Sequence, residues 1–359
     1  MKNSFDKTLA PLRKEIDKVD NEILKLLDKR MGIVRKIGHI KQKSKVFIYH
    51  PKRESEILAR LTNLGAKNIT QNAIKAIYNE IFANSRHLEL PERVAYLGPL
   101  GSFTHQVALM RFGKISEYIS ANNIESIFKL VENGSVKYGV IPIENNSNGI
   151  VGESLDFLSK YSVKIIAEDN LAIHHCLASN EKSLSNIHKI YSKDIAFGQC
   201  REFLNNYSLQ NAELIPLDST AKAAKVAASE KNSAAICSNA AASEFNLPIM
   251  FENIQDNSEN ITRFFIISDF NLPPSGDDKT SFCAFINNSN KPGTLSKLLN
   301  DFNNANINLI KLESRPLKTS RGFNFWFYME LEGHIDDKNV GEIFAKKGKI
   351  LKWLGSYPK

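Results

Sequence analysis

Residues 138–152 read YGVIPIENNSNGIVG, and this stretch decides how the middle of the chain folds. An apolar run ends abruptly at Glu144 and Asn145, a polar loop with a glycine follows, and residues 153–158 are amphipathic. The pattern predicts a buried strand, a polar loop and a helix. Open α/β sheets bind ligands just beyond the carboxyl ends of their strands, so Glu144 and Asn145 are the first candidates for a site. The alternative is a capped turn whose polar groups satisfy the start of the helix.

Length and composition set outer limits on the class of protein. A chain of 359 residues with ordinary apolar and charged fractions is expected to form two or three domains. It begins with a charged amphipathic pattern instead of an apolar signal segment, and no run is long enough to span a bilayer. Cys176, Cys200, Cys237 and Cys283 are far apart and lack Cys-x-x-Cys spacing. This favours reduced thiols in a cytoplasm over disulfides or zinc.

The net charge of +8 favours acidic partners. Nucleic acid is disfavoured because the sequence has no arginine-rich stripe and no basic face interleaved with aromatic residues. Nucleotide substrates are disfavoured because neither a Walker loop nor a Gly-x-Gly-x-x-Gly stretch is present. Small anions that carry several charges fit the excess of cations best.

The first 91 residues carry a helical pattern with one arginine inside an apolar seam. The seam consists of Leu9, Leu12, Ile16, Val19, Ile23, Leu26, Arg30, Ile33, Ile37 and Ile40. This spacing predicts one helix over about residues 6–43, roughly 55 Å long, which cannot bury its apolar stripe alone. Apolar patterns around residues 58–64 and 74–82 predict a second and a third helix. The expected unit is all-helical and dimeric.

An arginine in an apolar seam is costly unless an anion or a carboxylate meets it, although coiled coils also use polar residues to set register. Lys41 lies eleven residues after Arg30, about 20° around the helix, so both point to the same side. Arg13 lies 17 residues before Arg30 and about 100° away. A pocket built by two chains brings the three cations together, with Arg30 and Lys41 from one chain and Arg13 from the other.

Four short stretches of this region resemble the all-helical chorismate mutases. They are residues 12–20 (LRKEIDKVD), 26–30 (LLDKR), 38–41 (GHIK) and 51–54 (PKRE). The resemblance implies seven positions that bind chorismate: Arg13, Arg30, Lys41, His50, Glu54, Ser85 and Glu89. A Claisen rearrangement needs no nucleophile or cofactor, because holding the compact conformer and stabilising charge on the ether oxygen suffice.

The resemblance also implies a role for several of these positions. Arg13 of the partner subunit and Arg30 clamp the two carboxylates of chorismate. Lys41 reaches the ether oxygen, and Glu54 holds the ring hydroxyl. The resemblance also places Glu89 at the ether oxygen. Lys41 and Glu89 are therefore the two residues that it implies act on the reacting ether bond.

Two departures from the family pattern occur here, and one predicts a pH dependence. His50 stands where the family usually has Asp, and Glu89 stands where close relatives have Gln. Gln donates a hydrogen bond to the ether oxygen at any pH, whereas a carboxyl group donates only when protonated. Mutase kcat/KM is therefore expected to fall as Glu89 loses its proton, and Glu89→Gln should flatten that alkaline limb. Profiles of both proteins between about pH 5 and pH 9 check this, and superimposable profiles contradict it.

Strands and helices alternate between residues 92 and 270, which predicts a mostly parallel α/β architecture. The chain is expected to cross between two lobes near residue 171 and again near residue 248, with the pocket in the cleft between them. Cys200 has no neighbouring general base in sequence, which disfavours a catalytic thiol. His174 and His175 point to opposite faces of a strand, which disfavours a metal pair.

Three motifs of this segment together resemble prephenate dehydratase: residues 98–104 (GPLGSFT), 142–145 (PIEN) and 261–267 (ITRFFII). The resemblance implies a fold like the two-lobed periplasmic binding proteins and makes Thr262 essential for catalysis. It implies five substrate contacts: Glu144, Asn145, Ser192, Gln199 and Arg263. Prephenate loses its ring hydroxyl and carbon dioxide together, so one acid-like donor and anchors for two carboxylates suffice.

Residues 271–278 form a linker by composition, and a βαββαβ pattern follows, which is ferredoxin-like. Residues 292–295 (PGTL) and 313–316 (ESRP) resemble the two phenylalanine-binding motifs of the ACT domain. The resemblance implies an allosteric phenylalanine site at Gly293, Thr294, Leu295, Glu313, Ser314 and Arg315. An amino-acid carboxylate suits the helix N-terminus near Gly293.

The sequence therefore predicts an all-helical mutase domain at 1–91, a two-lobed α/β dehydratase domain at 92–270 and an α+β ACT domain at 280–359. The three resemblances imply that such a chain converts chorismate to prephenate and then to phenylpyruvate in phenylalanine biosynthesis, with phenylalanine as inhibitor. We expect a cytoplasmic homodimer or larger homo-oligomer without cofactor, metal, nucleic acid or membrane partner.

Two alternative functions come from other classes. The first is a non-catalytic binding or sensor protein, because the expected central fold resembles solute-binding proteins. The motif at residues 262–264 and the missing signal segment weigh against it. The second is an active dehydratase whose helical part only dimerises, and the retained Arg13, Arg30, Lys41 and Glu54 weigh against that.

Overall fold

The computed structural model describes residues 2–44, 51–89, 93–286, 291–317 and 325–359. The side chains of residues 2–8, 41–44, 89 and 210 lie outside the described part. The chain divides into two compact units, residues 1–92 with 112–116 and residues 93–111 with 117–359. Among the described residues, no helix is both long and apolar enough to cross a bilayer.

The described part of residues 1–92 consists of helices α1 (Lys2–Ser44), α2 (Pro51–Leu64) and α3 (Gln71–Glu89). The long first helix is confirmed and measures about 65 Å; it continues through Pro11, close to its start. Nine of its apolar side chains remain between 42% and 66% exposed: Leu12, Ile16, Val19, Ile23, Leu24, Leu26, Ile33, Ile37 and Ile40. The packing of α1 within this unit therefore leaves most of the apolar seam uncovered.

The first lobe of the second unit contains a six-stranded sheet. Its strands are β1 (Arg93–Leu97), β2 (Glu117–Ala121), β3 (Tyr138–Asn145), β4 (Gly149–Ile150), β5 (Lys164–Ala172) and β11 (Ile261–Ser268). The order is β2-β1-β3-β11-β5, and β4 pairs with β3. The helices of this lobe are α4 (Phe103–Phe112), α5 (Ile124–Glu132) and α6 (Gly152–Lys160). The predicted strand, loop and helix around residues 138–152 are confirmed.

The second lobe contains a five-stranded sheet in the order β10-β6-β9-β7-β8. Its strands are β6 (Cys176–Ala178), β7 (Lys189–Ser192), β8 (Glu213–Pro216), β9 (Ser233–Cys237) and β10 (Ile249–Phe251). Its helices are α7 (Asp194–Gln199), α8 (Arg201–Asn206), α9 (Thr220–Ala227) and α10 (Asn239–Glu244), with 3-10 turns at Leu184–Asn186 and Leu209–Asn211. Ser219 caps α9 by accepting a hydrogen bond from the backbone N–H of Lys222.

The chain crosses between the lobes twice, first between β5 and β6 and then between β10 and β11. The second crossing comes later than residue 248, because β10 still pairs with β6 of the second lobe. The two crossing segments run side by side, and the N–H of Ile173 donates to the carbonyl of Asn260 at 2.7 Å. The prediction of mostly parallel sheets is wrong. The crossing strands β5, β6, β10 and β11 all pair antiparallel with their neighbours, whereas β1–β2, β1–β3, β7–β8 and β7–β9 are parallel.

The C-terminal module follows the predicted βαββαβ order. Its elements are β12 (Asp278–Ala284), α11 (Thr294–Asn304), β13 (Leu309–Pro316), β14 (Phe325–Glu332), α12 (Lys338–Lys347) and β15 (Leu351–Pro358). The antiparallel strand order β13-β14-β12-β15 is the ferredoxin-like one. Strand β15 approaches β5 so closely that a Cβ on Gly355 would collide with the backbone of Ile165. Side chains of this module, such as Tyr328 and Tyr357, share one apolar core with the first lobe, which explains why the chain forms two compact units instead of three.

Candidate active sites

Two polar side chains meet where strand β3 ends and strand β11 begins. Asn145 and Thr262 lie directly opposite each other in the antiparallel pair, and Nδ2 of Asn145 donates to Oγ1 of Thr262 at 2.8 Å. The same nitrogen donates to Oδ1 of the buried Asn260 at 2.7 Å. Because Thr262 accepts this bond, its own hydroxyl hydrogen remains available to a substrate.

The hydrogen bonds of the loop fix the orientation of the Asn145 amide. Its Oδ1 accepts from the backbone N–H groups of Ser147 and Asn148, both at 3.0 Å, in an Asx turn. The amide nitrogen must then face Thr262. These N–H groups belong to the loop, whereas α6 begins after Val151 without a side-chain cap. The alternative, in which polar groups of the loop satisfy the start of the helix, is therefore not realised.

Glu144 and Arg263, the neighbours of this pair in sequence, point to the opposite face of the sheet. They are also directly opposite each other, but successive side chains of a strand alternate between faces. Glu144 accepts from Lys311 of the C-terminal module, and Arg263 donates to Glu168 of β5 and Glu330 of the module. The structure therefore does not bring Glu144 and Arg263 together with Asn145 and Thr262.

Gln199 is the last residue of helix α7 in the second lobe, and it makes one backbone and one side-chain contact. Its backbone carbonyl accepts from the N–H of Asp256 at 2.7 Å, and its Oε1 lies 2.9 Å from Nε2 of His175. His175 is 2% exposed, and burial lowers the pKa of its imidazole, so the ring is neutral at neutral pH. A neutral ring that donates from Nε2 leaves the NH2 group of Gln199 free to donate to an anion.

Ser192 lies at the end of strand β7 and is fully buried. Its hydroxyl donates to the carbonyl of Ile236 at 2.7 Å, so Oγ retains only acceptor capacity. Cys200 is buried as well, and burial raises the pKa of its thiol, which agrees with its exclusion as a nucleophile. Among the described residues, no group of three or more His, Cys, Asp or Glu side chains fits a metal ion.

The second crossing segment connects the two halves of this site. Asp256 binds Gln199 and Asn260 binds Asn145, and four residues of extended chain span at most about 14 Å. The sequence interpretation did not name His175 or Asn260 as site residues. For His175 the available signal was that it and His174 are adjacent in a strand-like run, which places one of the two rings on the inner face.

In the helical unit, Arg30 of α1 contacts helix α3. Its Nη1 donates to Oγ of Ser85 at 2.5 Å, and its guanidinium lies 5.8 Å from the ring centre of Phe82. Ser85 in turn donates to the carbonyl of Ile81 at 2.7 Å. Burial lowers the pKa of Arg30, while nearby Tyr78 and Glu54 oppose that shift. A guanidinium stays charged at neutral pH, so a partly desolvated cation sits between the two helices.

Glu54 of α2 pairs with an arginine that the sequence interpretation did not select. Its Oε1 accepts from Nη1 of Arg86, whose side chain is only 5% exposed against 23% for Glu54. Arg86 directly follows Ser85 on α3, so the same helix turn contacts both Arg30 and Glu54. This ion pair, buried on the arginine side, fixes the position of the Glu54 carboxylate.

The other predicted mutase residues fall into two groups. Arg13 is exposed on α1 and lies about 26 Å along the helix from Arg30, too far for both to hold one small molecule. His50 and the side chains of Lys41 and Glu89 lie outside the described residues.

The predicted allosteric residues lie on two elements of the C-terminal module. Gly293 has φ +81° and precedes α11, whose first residues are Thr294 and Leu295. Glu313, Ser314 and Arg315 lie on β13.

The side chain of Arg315 contacts the first lobe. Its Nη2 donates to Oδ1 of Asp156 in α6 at 3.0 Å, and its guanidinium covers Gly152, where any Cβ would collide with it. This residue therefore joins the C-terminal module to the first lobe.

Comparison with known proteins assigns a family to each of the two units. Residues 12–90 match the family model for chorismate mutase type II, and residues 94–271 match that for prephenate dehydratase. The bifunctional chorismate mutase/prephenate dehydratase of Aquifex aeolicus is 39% identical over 358 residues, which cover 98% of each chain. That of Pseudomonas aeruginosa is 36% identical, again over 98% of each chain. This chain belongs to the same family.

The bifunctional family assigns two activities to the chain, as the sequence predicted. The chain rearranges chorismate to prephenate, and it then dehydrates and decarboxylates prephenate to phenylpyruvate in phenylalanine biosynthesis. Among solved structures, a prephenate dehydratase from Arthrobacter aurescens in complex with L-Phe is 30% identical, with a TM-score of 0.68. The match covers 74% of this chain and 90% of that one.

Proposed function

We propose that dehydration occurs at Asn145, Thr262 and Gln199, and that the mutase reaction occurs at a pocket around Arg30, Ser85 and Glu54. The observation that carries the first assignment is the hydrogen bond from Asn145 to Thr262. It is supported by the second crossing segment, in which Asp256 binds Gln199 and Asn260 binds Asn145. Supplying chorismate and prephenate separately to one preparation tests both: chorismate loss reports the mutase pocket, and phenylpyruvate formation reports the dehydration site. Consumption of chorismate without any phenylpyruvate contradicts the dehydratase assignment.

The proposed dehydration uses hydrogen bonding instead of covalent catalysis. The C4 hydroxyl of prephenate leaves as the bond to the departing carboxylate breaks and its electrons enter the ring. Thr262 donates to that hydroxyl, and the bond from Asn145 makes the threonine hydroxyl a better donor and fixes its direction. Gln199 donates to a substrate carboxylate through its NH2 group.

Glu144, Arg263 and Ser192 need different roles from the substrate contacts that the sequence predicted. Glu144 and Arg263 bind the C-terminal module through their charged atoms, and Ser192 donates its hydroxyl hydrogen to the backbone. We assign Ser192 to the shape of the second lobe, where it joins β7 to β9.

We propose that the mutase pocket forms between two chains. The uncovered apolar seam of α1 supports a second copy as its occupant, because a stripe of this size costs free energy in water. The distance between Arg13 and Arg30 independently supports a second copy, because the two arginines of one chain are too far apart to bind one small molecule. Lys41, His50 and Glu89 complete the proposed set, with Lys41 and Glu89 at the ether oxygen. Free, buried cysteines support a cytoplasmic location for this homodimer or larger homo-oligomer.

We also propose that the C-terminal module is an ACT domain that binds phenylalanine at residues 293–296 and 313–316. Support comes from its ferredoxin-like strand order and from the L-Phe complex of the Arthrobacter aurescens dehydratase. The proposed domain bounds are 1–91, 92–270 and 280–359.

Phenylalanine is expected to bind the intact protein and to inhibit dehydration but not the mutase reaction. Binding coupling is reciprocal, so prephenate should weaken phenylalanine affinity by the same factor as the converse. Glu313→Ala should weaken phenylalanine binding about tenfold or more, through loss of a carboxylate that attracts the ligand's ammonium group. Lys297→Ala, on the exposed face of α11, is the control and should bind as the wild type does. Calorimetry that detects no phenylalanine binding to the wild-type protein contradicts the proposal.

A further inference from the structure

We propose that Lys311 and Glu330 of the C-terminal module are positioning residues for dehydration, acting through Glu144 and Arg263 on Asn145 and Thr262. The inference rests on the catalytic role proposed for Asn145 and Thr262. It gives this module a part in catalysis even when no inhibitor is bound.

The link runs through two consecutive residue pairs of one strand ladder. Thr262 lies opposite Asn145, and Arg263 lies opposite Glu144. The first pair faces the proposed substrate and the second faces the module, because side chains alternate. A bulge follows at once, since Phe264 pairs with Pro142 and leaves Ile143 as the extra residue of β3. The two pairs therefore lie between this bulge and the end of the β3–β11 ladder, with β4 and β5 paired on their outer sides. The contacts of the Glu144 and Arg263 side chains help to set the position of the backbone there.

Arg263 is held by two carboxylates. Its Nη1 and Nη2 donate to the two oxygens of Glu330 at 2.7 and 2.8 Å, a bidentate arrangement, and its Nε donates to Glu168 at 2.8 Å. The side chain of Glu330 is only 3% exposed. Burial alone would lower the pKa of Arg263, but the hydrogen bonds and attraction to Glu330 raise it overall. Tyr328 donates a further hydrogen bond to Glu330 at 2.7 Å.

Glu144 is held by a single cation of the module. Both of its carboxylate oxygens lie 2.6 Å from Nζ of Lys311 on β13. Nη1 of Arg263 lies 3.9 Å from Glu144, and Lys279 pairs with Glu168. The cluster thus pairs the cations Lys279, Arg263 and Lys311 with the carboxylates Glu144, Glu168 and Glu330, and it balances in charge.

Catalysis is sensitive to small displacements, and a shift of about 1 Å can cost a hundredfold in rate. Removing Lys311 or Glu330 leaves Glu144 or Arg263 without one of its anchors. The ladder end can then move, and Thr262 moves with it. The expected loss is in kcat, because neither residue contacts the substrate.

The experiment compares Lys311→Met and Glu330→Gln with Asp156→Asn. Asp156 also bridges the module and the first lobe, through Arg315, but it lies on helix α6 and not in the β3–β11 ladder. Dehydratase kcat is expected to fall about tenfold or more in the two test variants, with KM nearly unchanged and mutase activity intact. Asp156→Asn should keep the wild-type kcat, and Lys311→Arg should restore most of the rate.

A double-mutant cycle separates positioning from general destabilisation. If Lys311 acts through Glu144, Lys311→Met and Glu144→Gln together should cost little more in kcat than either alone. Should Glu330→Gln not fold, the Lys311 series decides the matter. Wild-type kcat in Lys311→Met overturns the inference if Thr262→Ala is inactive. An active Thr262→Ala overturns the proposed site itself.

Discussion

Thr262→Ala is expected to abolish phenylpyruvate formation while chorismate is still converted to prephenate at the wild-type rate. The substitution removes the only hydroxyl that Asn145 orients toward the proposed substrate within the described residues. Removing one donor of this kind typically costs a hundredfold to a thousandfold in kcat. The proposed mutase pocket lies in the other compact unit, so mutase activity should be unaffected. Prephenate should therefore accumulate when the variant receives chorismate.

Two further substitutions show whether the hydroxyl itself is responsible. Thr262→Ser keeps the hydroxyl and should keep most of the activity, whereas the nearly isosteric Thr262→Val should be as inactive as the alanine variant. Chromatography of chorismate, prephenate and phenylpyruvate in one time course measures all three proteins. Equal loss of both activities indicates a folding defect, and full dehydratase activity in Thr262→Val excludes Thr262 as the donor.

The sequence could identify Glu144, Asn145, Thr262 and Arg263 as one functional group, but not the face to which each belongs. Alternation along a strand predicts that neighbours point apart. Which pair faces the substrate depends on the register of β3 against β11 and on the module that covers one face. These contacts join residues that are 67 to 167 positions apart in the chain. Local pattern carries no information about them.

The sequence interpretation missed other residues for the same reason, since their roles depend on contacts between distant segments. Arg86 joins the proposed mutase pocket only through its contact with Glu54 of another helix, and His175 joins the proposed dehydration site only through its contact with Gln199 of another element. In contrast, the long helix α1 and the βαββαβ order were predictable, since periodicity and turn residues are local signals. Parallel and antiparallel pairing was mispredicted because the crossing strands reverse direction at a point that no local signal marks.

Arg30→Ala is expected to reduce mutase kcat/KM by about a hundredfold or more, since the pocket loses its partly buried cation for a substrate carboxylate. Dehydratase activity should remain and serves as the folding control for the second unit. Arg35→Ala, an exposed arginine five residues along the same helix, is the matched control and should retain mutase activity. Chorismate consumption by the three proteins measures the effect. Unchanged activity in Arg30→Ala contradicts the placement of the pocket.

A purified heterodimer of one Arg13→Ala chain and one Arg30→Ala chain tests whether each pocket uses both copies. If Arg13 of the partner subunit completes the pocket around Arg30, one pocket of the heterodimer has both arginines and the other has neither. Mutase activity should then be about half that of the wild type, although either variant homodimer is nearly inactive. If both arginines served a pocket within one chain, every pocket of the heterodimer would lack one of them. Coexpression with two different affinity tags isolates the heterodimer, and activity no higher than in the homodimers contradicts the shared pocket.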